Sequence, residues 1–205
     1  MMDGMNRRTL LAAALALACG PALAQMSGED ARDLARISNY LNAVETMTGS
    51  FVQVDPDAVI SQGSFAMRRP GRLRFDYEDP NPALVIADGT WVGVIDERDG
   101  AIDRYPLSST PLNLLLEERV DLRRAGAVTN IDRSQGQLAV TAIDTNNPDQ
   151  GLITMIFSDN PLELRQWVIT DAQGRQTTVA LRDTRTNVSI PAERFSIEAA
   201  ETRRN

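Results

Sequence analysis

The chain has no histidine and no lysine, so all 21 basic residues are arginine, and its one cysteine is Cys19. These absences remove whole classes of chemistry. A Ser-His-Asp triad, a Ser-Lys dyad and a lysine Schiff base cannot be built, and a thiol nucleophile exists only if Cys19 stays in the working protein. Zinc sites draw on His or Cys, so a zinc enzyme has no ligand set here. Aromatics are scarce at 5%. The single long apolar run, Leu10 to Cys19, falls short of the ~20 residues a membrane helix needs. There is no basic run, and the net charge is -7, which argues against nucleic acid or anionic headgroups as partners.

What is present at the start reads as an export signal. Arg7 and Arg8 precede the apolar run, and Ala22-Leu23-Ala24 supplies a small-x-small cleavage site. Residues 1–24 are therefore expected to be a signal peptide, and residues 25–205 one exported domain of the periplasm. The paired arginines resemble a twin-arginine signal only weakly, so general secretion is the better reading. Ala16-Leu17-Ala18-Cys19 lacks the Leu three positions before the cysteine that marks a lipidated residue. Cys19 is read as filler lost with the signal, leaving neither a disulfide nor a thiol. Losing Asp3, Arg7 and Arg8 takes the net charge from -7 to -8.

Two enzymatic options survive the composition, a carboxylate pair and an oxygen-ligand metal site. Asp76 and Glu78 lie two apart with Arg72 and Arg74, the pattern of a charge-paired strand face open to water. Nothing near them suggests the desolvation that would hold a proton on one carboxyl. Asp144-Thr145-Asn146-Asn147-Pro148-Asp149 starts like a calcium loop, but Met155 stands where the bidentate Glu belongs. A polar turn is the better reading, and no metal or cofactor is expected. Asn187-Val188-Ser189 matches a glycosylation sequon too short to carry weight.

Along the chain, Ser27 is placed as the N-cap of an amphipathic helix with an acid three residues on. Ala31, Leu34, Ile37, Leu41 and Val44 form its apolar stripe, against Arg32, Asp33, Arg36 and Asn42, and Gly49 closes the region. Strands are predicted over 50–54, 60–68, 72–78, 83–87, 90–96 and 101–105, with hairpin turns at Asp88-Gly89 and Asp99-Gly100. Ser109-Thr110-Pro111 opens a leucine-rich helix, and a short helical stretch is expected over 120–124. Strands follow over 127–132, 137–144, 151–158, 162–170 and 175–182. The stretch "RRPGRLRFDYEDP" has Leu73, Phe75 and Tyr77 on one face and charges on the other. Leu152 to Phe157 and Trp91 to Ile95 are apolar on both faces, which a sheet wetted on one side does not require. A long antiparallel sheet curling around apolar helices accounts for this; a β-sandwich is the alternative.

In order and spacing, these motifs resemble the periplasmic lipoprotein carrier proteins called LolA. The matches are Gly49-Ser50-Phe51-Val52-Gln53, Gly63-Ser64-Phe65, Arg69-Pro70-Gly71-Arg72-Leu73-Arg74-Phe75, Asp88-Gly89, Thr110-Pro111-Leu112 and Arg194-Phe195-Ser196. They run through nearly the whole exported chain. The resemblance implies an α+β fold, mainly β: an unclosed antiparallel β-barrel with a helical lid over a hydrophobic cavity for acyl chains. It implies that Phe51, Phe65, Met67, Leu73, Phe75, Tyr77, Trp91, Ile95, Leu112, Leu115 and Leu116 line that cavity, with Arg72 and Arg74 facing water. Arg69 matches the arginine that holds the family's empty lid closed. Phe75 stands where a Trp is frequent in the family.

The function so implied is that of a monomeric carrier, or chaperone, and not of an enzyme. It would accept acylated lipoproteins from an inner-membrane ABC-type release complex and pass them to an outer-membrane receptor. The alternatives are a lipid-anchored lipoprotein receptor or lipoprotein sensor of the same fold and, in another class, a small periplasmic hydrolase using carboxylates. Shielding the anchor is worth ~0.8 kcal/mol per CH₂, and a carrier needs no nucleophile.

Overall fold

A computed structural model describes residues 27–202 apart from Gln135. The signal peptide expected over 1–24, with Cys19, lies outside the described residues.

The first element is α1, Gly28–Ala43, started by a capping box. Asp30 N donates to Ser27 Oγ at 3.0 Å, and Ser27 N donates to Asp30 Oδ2 at 3.3 Å. The helix ends at Val44, in extended conformation, earlier than the glycine at 49. Gly49 instead lies inside β1, Thr46–Val54. A Cβ there would come within 2.9 Å of the Phe65 ring and 2.6 Å of Arg182 O, so the glycine marks a packing site and not a helix stop.

The strands that follow are β2 Ile60–Arg68, β3 Arg72–Tyr77, β4 Ala83–Asp88, β5 Trp91–Asp96 and β6 Ile102–Pro106. After α2, Asn113–Leu116, come β7 Val128–Ser134, β8 Gln137–Ala142, β9 Gly151–Asp159, β10 Leu162–Asp171 and β11 Gln176–Thr186, and then α3, Ile197–Thr202. All eleven strands form one antiparallel sheet in the order β6-β5-β4-β3-β2-β1-β11-β10-β9-β8-β7. The chain thus builds one half outward from β1 to the β6 edge and the other inward from the β7 edge to β11. β6 and β7 are left unpaired with each other, so the barrel is open. There is one sheet among the described residues, which displaces the β-sandwich alternative.

The two hairpin turns read from sequence are present. Asp88 Oδ1 accepts from the amides of Thr90 and Trp91 at 2.8 Å each. The second half of the cover differs from expectation. Leu107–Ser109 is a 3-10 turn, α2 starts only at Asn113, and it lasts four residues. Residues 120–124 are not helical; Val120 and Leu122 are buried, tied by side chains of α1. A short α3 was not foreseen.

Alternation along the strands sorts side chains into two sets. Met47, Phe51, Phe65, Leu73 and Phe75 share one cluster with α1, α2 and the inner residues of β8 to β10. Leu84, Ile86 and Ile95 lie on the other face and pack against Ile197 and Ala200 of α3. Strand β5 is therefore apolar on both faces because helices cover both. The outer face is partly covered elsewhere too: Phe195, Ile190 and Ala66 form a third cluster. Beneath that segment, Arg74 is only 14% exposed and paired with Asp76 at 2.5 Å, so it does not face water as expected from the alternation alone.

Curling brings neighbouring backbones close. A Cβ at Gly63 would sit 2.0 Å from Asp76 O and 2.9 Å from Tyr77 Cα, contacts with rigid main chain. Gly63→Ala is expected to lower unfolding free energy by about 2 to 4 kcal/mol, read as a lower midpoint in urea at unchanged slope. A change below about 0.5 kcal/mol contradicts this packing.

Candidate functional site: an apolar interior under an arginine-tied helical cover

The concave face and the helices over it enclose an apolar interior. From the cover, Leu34, Ile37 and Leu115 are fully buried, with 0% exposure, as are Met155 and Phe157 of β9 opposite. Phe51 packs edge-on to Phe75 and Tyr77, at centroid distances of 4.7 and 5.0 Å. Phe75 in turn meets Trp167 at 6.2 Å. Edge-to-face contacts of this kind add to the burial of ring area. Tyr77 lies toward the rim, where its hydroxyl donates to Gln53 Oε1 at 2.8 Å.

Arg69 lies outside this interior, on the turn between β2 and β3. Gly71 in the same turn has φ +73, and a Cβ there would approach Gly89 Cα to 2.7 Å. This turn therefore has to pass close under the β4–β5 turn. Arg69 Nε donates to Glu117 O at 3.0 Å, and Nη2 donates to the same oxygen at 2.6 Å. Nη2 also reaches Asn42 Oδ1 at 3.2 Å, and Nη1 donates to Leu41 O at the end of α1. One guanidinium thus satisfies carbonyls at the C-terminal ends of both α1 and α2, the groups a helix leaves unpaired. A backbone bond beside it, Gly71 N to Leu116 O at 2.9 Å, holds α2 to the same turn. Burial pushes the Arg69 guanidinium below its usual value, without taking it out of the charged state. Burial also raises the Glu117 carboxyl.

The other half of α1 is held by charge pairs. Arg133, on the edge strand β7, reaches Asp33 Oδ2 and Asp30 Oδ1, each at 2.7 Å. Arg36 pairs with Asp159 at 2.9 Å, at the end of β9. Asp33 belongs to the polar face of α1, yet it is 8% exposed, because the helix face that meets β7 is charged and paired there. Tyr40 accepts from Leu164 N at 3.1 Å. At the junction with β1, Asn187 donates to Ala43 O and accepts from Glu45 N, both at 3.0 Å.

Of the residues named from sequence, Phe51, Phe65, Met67, Leu73, Phe75, Leu115 and Leu116 lie in the interior cluster, with Tyr77 and Leu112 half-buried against it. Trp91 and Ile95 do not. Ile95 packs under α3 on the outer face, and Trp91, 45% exposed, shares its parity and lies in an outer groove beside Ile197. The error has a physical source: β5 is apolar on both faces, so composition cannot say which face turns inward. The interior also contains residues of β8 to β10 beyond those expected from the resemblance, and the period-two runs Leu138-Val140-Ala142 and Ile153-Met155-Phe157 carry that signal.

Fold and site together define a class: an incompletely closed antiparallel β-barrel whose apolar concave face is packed against a helical cover. The chain belongs to the outer membrane lipoprotein carrier protein LolA family, whose description matches residues 42–198. An outer-membrane lipoprotein carrier protein from Halorhodospira halophila is 31% identical over 202 residues, covering 94% of this chain and 91% of that protein. One from Pseudomonas aeruginosa is 25% identical over 200 residues, with 93% of each covered. In fold alone, the chain is similar to a domain from Vibrio parahaemolyticus named for outer membrane lipoprotein sorting. That likeness has a TM-score of 0.54 at 8% identity, covering 82% of this chain and 97% of that one.

Burial raises the Tyr77 phenol to about 12, so the folded protein keeps a proton that the unfolded chain loses near pH 10. The stability this contributes is complete below pH ~10 and is lost as pH rises toward 12. Tyr77→Phe is expected to flatten that alkaline loss in urea titrations at pH 9 and pH 11. An unchanged pH slope would place the phenol in water.

Proposed function

We propose that this protein is a periplasmic carrier that takes up the acyl chains of lipoproteins between the concave face of its sheet and the helical cover. Residues 25–205 act as one domain after removal of residues 1–24. It receives its cargo from an inner-membrane ABC-type release complex and delivers it to an outer-membrane receptor, working as a monomer and catalysing no reaction. The observation that carries this reading is an apolar interior closed by a cover whose ties to the β2–β3 turn converge on Arg69. Family membership and the relatives' names support the same reading.

The energetics favour reversible loading. Lifting α1 exposes Leu34, Ile37 and Leu41, at a cost of roughly 1.5 to 3 kcal/mol for each buried side chain. An acyl chain entering the gap covers the same surface and is itself kept from water, so that apolar term is exchanged rather than lost. Opening exchanges the hydrogen bonds to Arg69 for bonds to water, a net loss of about 1.5 to 3 kcal/mol each for a charged donor. Arg69 is therefore the term by which the closed form competes with cargo and drives release. The revised lining is the interior cluster without Trp91 and Ile95, and with Leu34, Leu138, Met155, Phe157 and Trp167 added.

The direct test is native mass spectrometry of the protein purified from its periplasm, paired with displacement of a fluorescent fatty acid. Bound or displaceable acyl ligand at one site is expected, and no binding of either kind overturns the carrier reading. With Arg69→Leu, the open fraction rises, so apparent acyl affinity should increase about tenfold or more and transfer of a labelled lipoprotein to acceptor membranes should slow accordingly. Transfer at the wild-type rate removes Arg69 from this role.

A further inference from the structure

α1 and the segment after α2 are joined to each other as directly as either is joined to the sheet. The Asn42 carboxamide closes a two-bond ring on Val120, with Nδ2 donating to Val120 O at 2.9 Å and Oδ1 accepting from Val120 N at 2.9 Å. One helical turn earlier, Ser38 Oγ accepts from Leu122 N at 3.2 Å and donates to Leu34 O at 2.7 Å. Residues four apart share a helix face, so α1 uses one face to hold alternate residues of a segment with no regular structure of its own. Val120 and Leu122 are 3% and 4% exposed, so parting the two pieces would also uncover apolar surface.

The pairing fixes the orientation of the carboxamide. Val120 N needs an acceptor and Val120 O needs a donor, which leaves Oδ1 as the atom that Arg69 Nη2 meets at 3.2 Å. Asn42 is thus bonded at once to the arginine and to the far piece of the cover. Arg69 contacts the same two pieces through Leu41 O and Glu117 O.

We infer that Asn42 is a positioning residue that makes the cover one rigid body: α1 and residues 117–122 leave the sheet together when Arg69 lets go. Cargo then enters between cover and sheet, never between α1 and the 117–122 segment. The inference rests on the carrier reading for its purpose, but its test needs no cargo, so failure to bind acyl chains and failure of this coupling are separate results.

The test is amide hydrogen exchange, followed by NMR in the absence of ligand, at three positions. Gly71 N–H bonds Leu116 O across the gap between sheet and cover, whereas Val120 and Leu122 N–H bond α1 within the cover. Arg69→Leu is expected to speed exchange at Gly71 about tenfold or more, with Val120 and Leu122 changed less than about twofold. Asn42→Ala should do the reverse, speeding Val120 about tenfold with little effect at Gly71. Asn42→Asp, which keeps the acceptor, should restore most of the Val120 protection. Amides of β1 and β2 report whether the sheet is intact, and Arg69→Lys serves if the leucine variant loosens it. Equal acceleration at all three amides in the Arg69 variant, no acceleration at any of them, or an unchanged Val120 in Asn42→Ala overturns the inference.

Discussion

An antiparallel sheet that curls but does not close has an apolar face that its own strands cannot fully hide. The helical cover over the concave face answers that constraint. α1 and the leucines of α2 lie over the concave face because the sheet offers them Phe51, Phe75 and Phe157 to pack against. A four-residue helix such as α2 would not persist alone; it persists here because Leu114, Leu115 and Leu116 are buried and its final carbonyl is held by Gly71. Apolar contact supplies most of the adhesion, and it is indifferent to which apolar surface it meets. On the carrier reading proposed above, a fatty chain would replace a helix face at small net cost.

What apolar contact cannot supply is direction, and here the composition becomes mechanistic. A chain whose every cation is arginine can place a planar fork wherever several carbonyls or carboxylates converge. Arg69 spans the ends of two helices, and Arg133 reaches two carboxylates of α1. A lysine at either site would offer one ammonium centre in place of a spread of donors. The two arginines nevertheless differ in character. Arg69 is partly buried and meets neutral carbonyls, so salt screens it less; the Arg133 and Arg36 pairs are partly exposed and contribute modestly.

How much of this was legible in the sequence depends on the kind of signal each element leaves. Turns with Asp-Gly, the capping box of α1 and the alternation of β3 are written locally, and they occur where the residues place them. The open sheet was legible because close strand spacing demands antiparallel neighbours, and the order of motifs matched a family. The cover beyond Pro111 was not. Residues 117–127 take their shape from Asn42 and Ser38, which lie far away in sequence, so a helix inferred for 120–124 from local pattern had no such partner to account for. The inward face of β5 was likewise hidden, because it depends on α3, a helix too short and weakly patterned to be foreseen. Asn42 itself looked like one more polar residue on a solvent face.

The unpaired edges β6 and β7 have a consequence for the protein as a solute. Open edges invite strand addition from other chains, and the elongated, two-edged sheet seen here would be exposed to it on both sides. β6 is five residues long with Asp103 and Arg104 in its middle. β7 carries Asp132 and Arg133, and Arg133 is turned onto α1 by its carboxylate partners. Each edge thus carries short or charged sequence, and β7 is in addition tied to α1. The ion pairs that tether α1 to β7 therefore act on a strand that is also an open edge, so the position of the helix and the order of that edge are joined.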